Sequence, residues 1–366
     1  MDRIKKEGEI RIPSGCAISG IISKKGNRFS GQTAIDSIRL MHDRSNGLGG
    51  GFAGYGIYPE YKDYYAFHIF YMDTIAKNEC MSFLEEHFDL INLSKIPTRK
   101  IPSITDEPMI WRYFLSPLPT KLAESQLTEE EYVVRCTINV NAHIKGAFIV
   151  SSGKNMGVFK AQGYPEDVGE FYKLEEYSGY SWTAHGRYPT NTPGWWGGAH
   201  PFSLLNYSVV HNGEISSYDA NRRYIEMFGY KCNLQTDTEV ITYMIDFLNR
   251  KKNIDLKTVA HILAAPFWST IERMDETKKL EYKYLRNNYE SFLVTGPFSI
   301  IVSYQNGLMA LNDRLKLRSL VVGEKDDMVY MASEEEAIRV IAPELDSIYY
   351  PKGGEPYIVE LETEVQ

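Results

Sequence analysis

Short apolar runs that occur in pairs, with turn residues between them, are the feature that most constrains the fold of this chain. Residues 204–216 (LLNYSVVHNGEIS) and 296–314 (GPFSIIVSYQNGLMALNDR) each predict a hairpin, the second with Asn306-Gly307 at its turn. Residues 319–341 predict two further strands and a short helix. Because such pairs outnumber isolated strand–helix units, the sequence predicts an α+β fold rich in antiparallel sheet.

Three other segments are predicted from the period of their apolar residues. Residues 17–23 (AISGIIS) form a short apolar run that is typical of a buried strand. The alternation in residues 136–153 (CTINVNAHIKGAFIVSSG) also predicts a strand. Residues 236–250 (TDTEVITYMIDFLNR) have the period of an amphipathic helix, so a strong helix is expected there.

Charge and cysteine content exclude several classes of function. The chain has 366 residues, a formal net charge of −8 and no long basic run, which argues against nucleic acid or an anionic membrane as the main partner. It contains no run of 18 apolar residues, so no membrane span is expected. Its four cysteines are scattered and form no C-x-x-C pair, so a cytoplasmic, thiol-reduced protein without a zinc or iron–sulfur centre is predicted.

Cys16 has two interpretations. Free cysteines are among the most buried residues and are usually inert, so simple packing is the first. The second depends on the flanking residues in GCAISG, because Gly15 and Ala17 are small and leave the sulfur accessible. Ser14-Gly15 is also a candidate cleavage point, after which Cys16 would begin the mature chain as a nucleophile.

The segment HNGEI, residues 211–215, follows an apolar strand. Asn-Gly is a strong hairpin signal, so a turn is one interpretation. In the other, the side-chain amide of Asn212 and the backbone N–H of Gly213 converge on one oxygen and form an oxyanion hole.

Two further segments supply charges. TDTE, residues 236–239, fits a capping box in which Thr236 caps the helix and Glu239 reaches back to it. Asp237 then lies in the first turn, where the helix dipole keeps it ionised and able to hold an ammonium group. Arg187, in a loop rich in glycine and tryptophan, is either solvated or a clamp for a carboxylate, with Thr190 adding a neutral hydrogen bond.

Taken together, these motifs resemble the class II glutamine amidotransferases, which are N-terminal nucleophile hydrolases, and most closely the glutaminase part of glutamate synthase. The matching segments follow the family's order from Cys16 to about residue 341: CAISG (16–20), HDRSNG with Arg44, HGRYPTNT (185–192), HNGEI (211–215), TDTE (236–239), GPFS, DRLKLRSL and SEEEA. Ala17 replaces the family's usual glycine, and DRLKLRSL lacks the usual glycine and proline. The segment between Tyr58 and Cys136 is long for the minimal family domain.

The resemblance implies a fold, a domain organisation and a set of residue roles. The fold is a four-layer α/β/β/α sandwich of two antiparallel sheets, with residues 1–15 as a removable leader and residues 16–366 as one amidotransferase domain. Cys16 is the nucleophile and its own α-amine the base, while Asn212 and Gly213 stabilise the oxyanion. Arg187 holds the α-carboxylate of glutamine and Asp237 its α-amine. Thr190 and Arg44 are further substrate contacts, and no metal or organic cofactor is required in this chain.

The implied partners are L-glutamine and a separate synthase subunit that accepts the ammonia. For glutamate synthase, FMN and an iron–sulfur cluster would belong to partner subunits, and the role would be glutamate biosynthesis. Three alternatives stay open: the amidotransferase subunit of another synthase, such as one making N-methylglutamate; a non-catalytic regulatory subunit on the same fold; and an N-terminal nucleophile hydrolase without ammonia transfer. The pairing of Arg187 with Asp237 suits an amino-acid head group and favours glutamine.

Overall fold

A computed structural model describes residues 15–189 and 194–362. Within these ranges the chain forms eighteen strands: β1 (Ala17–Ser23), β2 (Phe29–Ser30), β3 (Gly50–Tyr55), β4 (Tyr65–Tyr71), β5 (Phe88–Lys95), β6 (Met109–Pro117), β7 (Ala147–Ser151), β8 (Met156–Ala161), β9 (Ser178–Gly179), β10 (Ser181–Gly186), β11 (Phe202–Leu204), β12 (Tyr207–Gly213), β13 (Phe298–Tyr304), β14 (Gly307–Asn312), β15 (Val321–Lys325), β16 (Met328–Ala332), β17 (Ser347–Tyr349) and β18 (Tyr357–Glu360).

Eleven α-helices accompany them in the same described ranges: α1 (Gln32–Arg39), α2 (Thr74–His87), α3 (Pro119–Ser125), α4 (Glu129–His143), α5 (Pro165–Phe171), α6 (Tyr218–Glu226), α7 (Asp237–Asp246), α8 (Leu256–Leu263), α9 (Trp268–Ile271), α10 (Glu276–Asn288) and α11 (Glu336–Arg339). Between residues 15 and 189 and between 194 and 362, no helix is long and apolar enough to cross a bilayer. The predicted leader, apart from Gly15, lies outside the described residues.

The strands form two large sheets and two smaller ones. Seven strands follow the order β17-β15-β16-β1-β10-β3-β8, and five follow the order β11-β12-β13-β14-β18. Neighbouring strands in both sheets run antiparallel. The predicted α+β fold rich in antiparallel sheet is therefore confirmed.

Strand β1 shows how the layers are arranged, because its side chains alternate between two cores. Ile18 and Ile22 pack with Val210 and Ile301 of the five-stranded sheet. Ala17 and Ile21 belong to the core on the opposite face, where helices α1 and α5 pack. Helix α7 packs on β11 and β12, so the five-stranded sheet is also covered by a helix.

The long segment between Tyr58 and Cys136 is an ordered part of the fold. It supplies β4, β5 and β6, which join β7 in a four-stranded sheet with the order β5-β6-β4-β7. It also supplies α2 and α3 and the first half of α4. Tyr71, Tyr113 and Cys80 are buried within it, in a core that is continuous with that of α7.

The strand predicted over residues 136–153 is wrong in its first half. Helix α4 runs through His143, and only β7 is strand. The helix begins upstream, where the Thr128 side chain accepts a hydrogen bond from the N–H of Glu131. Val133, Cys136 and Val140 are buried on one face at helical spacing, which a search for alternation overlooks.

The hairpin predicted over residues 296–314 forms with its turn shifted by one residue, whereas the one predicted over residues 204–216 does not form as predicted, because that segment contains only β12 and the last residue of β11. Strands β11 and β12 are joined at residues 205–206, and Asn212 and Gly213 end β12 instead of turning. In the hairpin over residues 296–314, Tyr304 pairs with Gly307, which places the turn at residues 305–306. The hairpin-turn interpretation of the HNG segment is therefore wrong.

Candidate active site

Cys16 precedes strand β1 at the centre of the seven-stranded sheet. The pairing of Ala17 with Gly186 brings the end of β10 beside it. The backbone N–H of Tyr188 donates to Cys16 Sγ at 3.3 Å. Arg44 Nε donates to the Cys16 carbonyl oxygen at 3.0 Å. Tyr188, just after β10, therefore holds the sulfur of Cys16, and Arg44, from the turn His42–Arg44, holds its backbone.

The sulfur faces a cavity of about 280 Å³. Its walls come from the ends of β10 and β12, the segment after β12 and the start of α7. They carry groups of different charge and chemistry: Cys16, Arg187, His211, Gly213, Tyr218 and Asp237. The cavity thus combines a thiol, a guanidinium and a carboxylate in a volume suited to a small metabolite.

In the chain that carries Gly15, the thiol is held in its protonated form. Burial raises the pKa of Cys16 to about 11, although the Tyr188 N–H and the Arg187 charge act in the opposite direction. The backbone nitrogen of Cys16 is an amide here and has no basic lone pair. The sulfur is consequently a weak nucleophile at neutral pH as long as Gly15 remains attached.

Arg187 is 3% exposed and lies in the cavity wall after β10. A Cβ added to Gly198 would lie 3.2 Å from its Nη1, so the guanidinium passes close to that backbone. Burial lowers the pKa of Arg187 from its ordinary value, while the charges of Cys16, Asp237 and Glu214 act to raise it. The result is a desolvated cation facing the same cavity as the thiol.

Asp237 is the first residue of helix α7, which Thr236 caps by accepting the Glu239 N–H at 3.2 Å. The Ile215 N–H donates to Asp237 Oδ2 at 3.3 Å, and His211 Nδ1 lies 3.4 Å from Oδ1. Burial opposes ionisation, but His211 and the hydrogen bonds outweigh it and hold the pKa of Asp237 below its usual range. Asp237 is therefore a carboxylate at neutral pH.

The second half of the predicted capping box is wrong. Glu239 does not reach back to Thr236; its carboxylate accepts the backbone N–H groups of Asn233 and Leu234 at 3.2 and 2.9 Å. Burial raises the pKa of Glu239 to about 8, against these hydrogen bonds and the nearby charge of Lys160.

Asn212 and Gly213 end β12 beside Cys16. Gly213 borders the cavity and has a φ of +148°. Asn212 is fully buried, with Nδ2 at 3.5 Å from Ser333 Oγ and Oδ1 without a partner in the described part of the chain. Ser333 Oγ also accepts the Ile18 N–H, and its second lone pair and its hydrogen allow it either to accept from the Asn212 amide or to donate to it.

The flipped orientation of the Asn212 amide would place Oδ1 on Ser333 and Nδ2 on the side of Gly15, which is the orientation that an oxyanion contact requires. A Cβ added to Gly15 would lie 3.8 Å from the atom at that position. The flipped Asn212 amide and the Gly213 N–H both lie at the end of the strand beside the nucleophile.

The structure thus brings together Cys16, Arg187, Gly213 and Asp237 around one cavity, with Asn212 immediately behind. Arg44 lies elsewhere, on the backbone side of Cys16, where its Nη1 also binds Glu334 Oε1 at 2.6 Å. Thr190 lies outside the described residues. The roles predicted for all of these residues stay predictions.

Sequence reasoning missed two buried residues of the site, His200 and Thr238. His200 Nε2 lies 2.6 Å from Thr238 Oγ1, and its ring stacks on that of His185 with centroids 4.2 Å apart. Burial lowers the pKa of His185 to about 3 and that of His200 well below its ordinary value, so both rings are neutral. Thr238 lies inside the TDTE motif, in which the sequence pattern assigns roles only to the cap Thr236 and to the carboxylates of Asp237 and Glu239.

His200, His211 and Asp237 offer three potential metal-ligand atoms within 4.8 Å of one another. Thr238 Oγ1 lies 2.6 Å from His200 Nε2, 3.2 Å from His211 Nδ1 and 3.3 Å from Asp237 Oδ1. The cluster is organised as a hydrogen-bond network around a hydroxyl.

Comparison with known proteins defines the class. Residues 58–362 match the family model of the class-II glutamine amidotransferases, which is more than half of the chain. The chain therefore belongs to this family of glutamine amidotransferases, whose fold combines helices with antiparallel sheets.

Particular relatives differ in how much of their length is shared. An Archaeoglobus fulgidus protein named only as uncharacterized is 50% identical over 351 residues, covering 95% of this chain and 93% of its own. The amidophosphoribosyltransferase of Methanocaldococcus jannaschii is 26% identical over 205 residues, 55% of this chain and 38% of its own. The glutamine phosphoribosylpyrophosphate amidotransferase of B. subtilis superposes with a TM-score of 0.47 at 14% identity, covering 94% of this chain and 47% of its own.

Proposed function

We propose that this chain is the glutaminase subunit of an ammonia-transferring enzyme, hydrolysing L-glutamine to glutamate and ammonia through a Cys16 thioester. The observation that carries the proposal is the cavity in which the Cys16 thiol, the Arg187 guanidinium and the Asp237 carboxylate all take part. A free amino acid has an α-carboxylate and an α-ammonium group that need such a pair of charges. When Arg187 and Asp237 bind these two groups of glutamine, its side-chain amide is the group that the thiol can attack.

Binding is assigned to the two charges. Arg187 is desolvated, and a guanidinium forms a bidentate pair with a carboxylate, so it holds the α-carboxylate. Asp237 keeps its negative charge because its pKa lies below the usual range, so it holds the α-ammonium group. Arg44 supports the backbone of Cys16 instead of contacting glutamine, since its Nε is occupied by the Cys16 carbonyl.

The chemistry requires a free α-amine on Cys16, and therefore removal of residues 1–15. That amine takes the thiol proton, and the thiolate forms a bond to the amide carbon of glutamine. The negative oxygen is stabilised by the Gly213 N–H and the Asn212 amide. The proton passes to the leaving nitrogen, the C–N bond breaks and ammonia leaves. Water then cleaves the thioester to give glutamate and to restore the thiol and amine.

Maturation provides the first test. A chain expressed as Met-Cys16 onward, from which methionine is removed, should hydrolyse glutamine. The intact chain should not, because Cys16 then lacks its base and its thiol pKa is raised to about 11. Intact-mass spectrometry must establish the N-terminus in each glutamate-release assay. Equal rates for verified intact and trimmed chains would rule out the N-terminal-nucleophile mechanism.

A cysteine variant provides the second test. Cys16→Ala in the trimmed chain should abolish glutamate release and covalent labelling by a glutamine-like diazoketone. Cys80→Ala is the matched control, since Cys80 is fully buried in helix α2 and should leave activity within a factor of about two. Retained glutaminase activity in Cys16→Ala would overturn the proposal.

The ammonia acceptor is assigned to a separate cytoplasmic synthase, with glutamate synthase as the specific candidate because the motif series resembles its glutaminase part most closely. In that assignment FMN and iron–sulfur chemistry belong to the partner subunits, and the fold of this chain is a four-layer α/β/β/α sandwich. Co-purification with candidate synthases tests it. A partner that makes glutamate from 2-oxoglutarate supports the assignment, and one that makes N-methylglutamate replaces it.

A further inference from the structure

The hydroxyl of Thr238 is the point at which the two halves of the site meet. Thr238 is fully buried in the first turn of α7. Its Oγ1 lies 2.6 Å from His200 Nε2, 3.2 Å from His211 Nδ1 and 3.3 Å from Asp237 Oδ1. His211 belongs to the strand that also carries Asn212, whereas Asp237 belongs to the helix.

Only one assignment of protons makes all three of these contacts hydrogen bonds at the same time. A hydroxyl has one hydrogen to donate and two lone pairs to accept with. The Asp237 carboxylate can only accept, so it takes the hydroxyl hydrogen. Thr238 must then accept from N–H groups on His200 Nε2 and His211 Nδ1, which uses both of its lone pairs. The hydroxyl therefore places the proton of His200 on Nε2, and together with the Asp237 carboxylate, 3.4 Å from His211 Nδ1, it places the proton of His211 on Nδ1.

The same donor and acceptor rules apply to the rest of the histidine cluster. His185 Nε2 lies 2.9 Å from the His211 carbonyl oxygen, which can only accept, so His185 also carries its proton on Nε2. The opposite nitrogens, His185 Nδ1, His200 Nδ1 and His211 Nε2, have no hydrogen-bond partner in the described ranges. In the described ranges, each of the three rings is therefore held by hydrogen bonds to one of its two nitrogens. For His200 and His211 that nitrogen contacts Thr238.

We propose that Thr238 is a positioning residue of the glutaminase reaction, which sets the orientation of the Asp237 carboxylate toward the substrate ammonium group. This inference rests on the proposed function, because an effect of Thr238 on catalysis requires that Asp237 binds the ammonium group of glutamine. Without the hydroxyl, Asp237 Oδ1 loses one donor and the His200 N–H loses its acceptor, while the His211 N–H keeps Asp237 Oδ1 at 3.4 Å. This loss favours rotation of the carboxylate or a change of the His200 tautomer.

Two variants and one control isolate the hydroxyl. Thr238→Val keeps the shape of the side chain and removes the hydroxyl, while Thr238→Ser keeps the hydroxyl. Thr242→Val is the matched control, because Thr242 is also fully buried one turn later and its hydroxyl donates to the Thr238 carbonyl oxygen, at 2.8 Å. All three are compared in the trimmed protein.

The kinetic readout is the KM for glutamine against kcat. Thr238→Val should raise KM about 10- to 100-fold, the loss typical of a hydrogen bond to a charged group, with a smaller change in kcat. Thr238→Ser should return to within about threefold of wild type, and Thr242→Val to within about twofold. For a glutamine analogue without the α-amino group, Thr238→Val should match wild type, because that analogue makes no use of Asp237.

A second readout does not depend on activity and so separates this inference from the proposed function. Ring-nitrogen NMR of ¹⁵N-histidine-labelled protein should show His211 protonated at Nδ1 and His200 at Nε2 in wild type, Thr238→Ser and Thr242→Val, and a changed pattern at His200 in Thr238→Val. An unchanged pattern in Thr238→Val would overturn the inference even if the enzyme is active. An equal loss toward glutamine and the des-amino analogue would also overturn it.

Discussion

Gly213 ends strand β12 under two constraints that no other residue type satisfies. Its φ is +148°, and a Cβ added to it would lie 2.0 Å from the Pro297 carbonyl oxygen, far inside the 3.4 Å at which ordinary contact begins. Gly229 shares the first constraint alone: its φ is +93°, with nothing within 4 Å of an added Cβ. Comparison of Gly213→Ala with Gly229→Ala therefore separates backbone strain from collision.

The magnitudes follow from these two terms. Strain at a positive φ costs about 1–3 kcal/mol, and overpacking against fixed backbone costs about 1–3 kcal/mol more. We expect Gly229→Ala to lose about 2 kcal/mol of the free energy of unfolding and Gly213→Ala about 4 kcal/mol. At about 2 °C per kcal/mol for a chain of this size, the Tm values should fall by about 4 and 8 °C.

The glutaminase activity of the two glycine variants is the second measurement, after their Tm values. Relief of the collision must move the end of β12 away from Pro297, and with it the Gly213 N–H beside Cys16. A displacement of about 1 Å in a catalytic group costs about 100-fold in rate. In the trimmed chain, kcat for glutamine should fall about 100-fold in Gly213→Ala and stay within about twofold of wild type in Gly229→Ala. Equal Tm values for the two variants, or an active Gly213→Ala, would refute this reasoning.

Two further predictions concern substrate binding and a buried lysine. Arg187→Ala should raise KM for glutamine more than it lowers kcat, because a carboxylate clamp acts in ground and transition states alike, whereas Asn212→Ala should lower kcat about 100- to 1,000-fold, because the oxyanion exists only after attack. Steady-state kinetics on both variants check this, and a fall in kcat at unchanged KM in Arg187→Ala would contradict it. Burial lowers the pKa of Lys160 from its ordinary 10.5 to about 7, while Glu239 opposes the change. The unfolded chain therefore binds more protons between these values, so this lysine's contribution to stability is lost as pH falls toward 7 and grows as pH rises. From about pH 8 to about pH 9, the free energy of unfolding of wild type minus that of Lys160→Met should rise by up to about 1.4 kcal/mol, and a flat difference in denaturant titrations would show that Lys160 titrates normally.

Local signals determined a large part of the fold. Helix α7 was predictable because Thr236 is a good cap and an apolar stripe follows it at helical spacing. Strand β1 and the strand pair β13–β14 were predictable because short apolar runs are encoded by neighbouring residues. The same holds for the chemical identity of Cys16, Arg187 and Asp237, whose side chains are suited to their proposed tasks wherever the fold places them.

Only the tertiary structure decided how distant segments meet. Residues 136–153 predict a strand where the second half of helix α4 forms, because the cap and first turn of that helix lie upstream of these residues. The turn predicted at Asn212-Gly213 does not form, because these two residues pair with β13 instead. In both cases a local pattern was compatible with two structures, and packing against other elements selected one of them.

The site depends on the same long-range contacts. The contact between Cys16 and Tyr188 joins residues that are 172 positions apart, and it requires β1 to pair with β10. The raised pKa of Cys16 and the neutral rings of His185 and His200 come from burial by segments far away in sequence. The central place of Thr238 is invisible in TDTE, because His200 and His211 reach it only after β12 and the segment before β11 pack on helix α7. The sequence by itself determined which chemical groups are available, and the tertiary structure decided their neighbours, because hydrogen bonding and desolvation depend on distances that only folding sets.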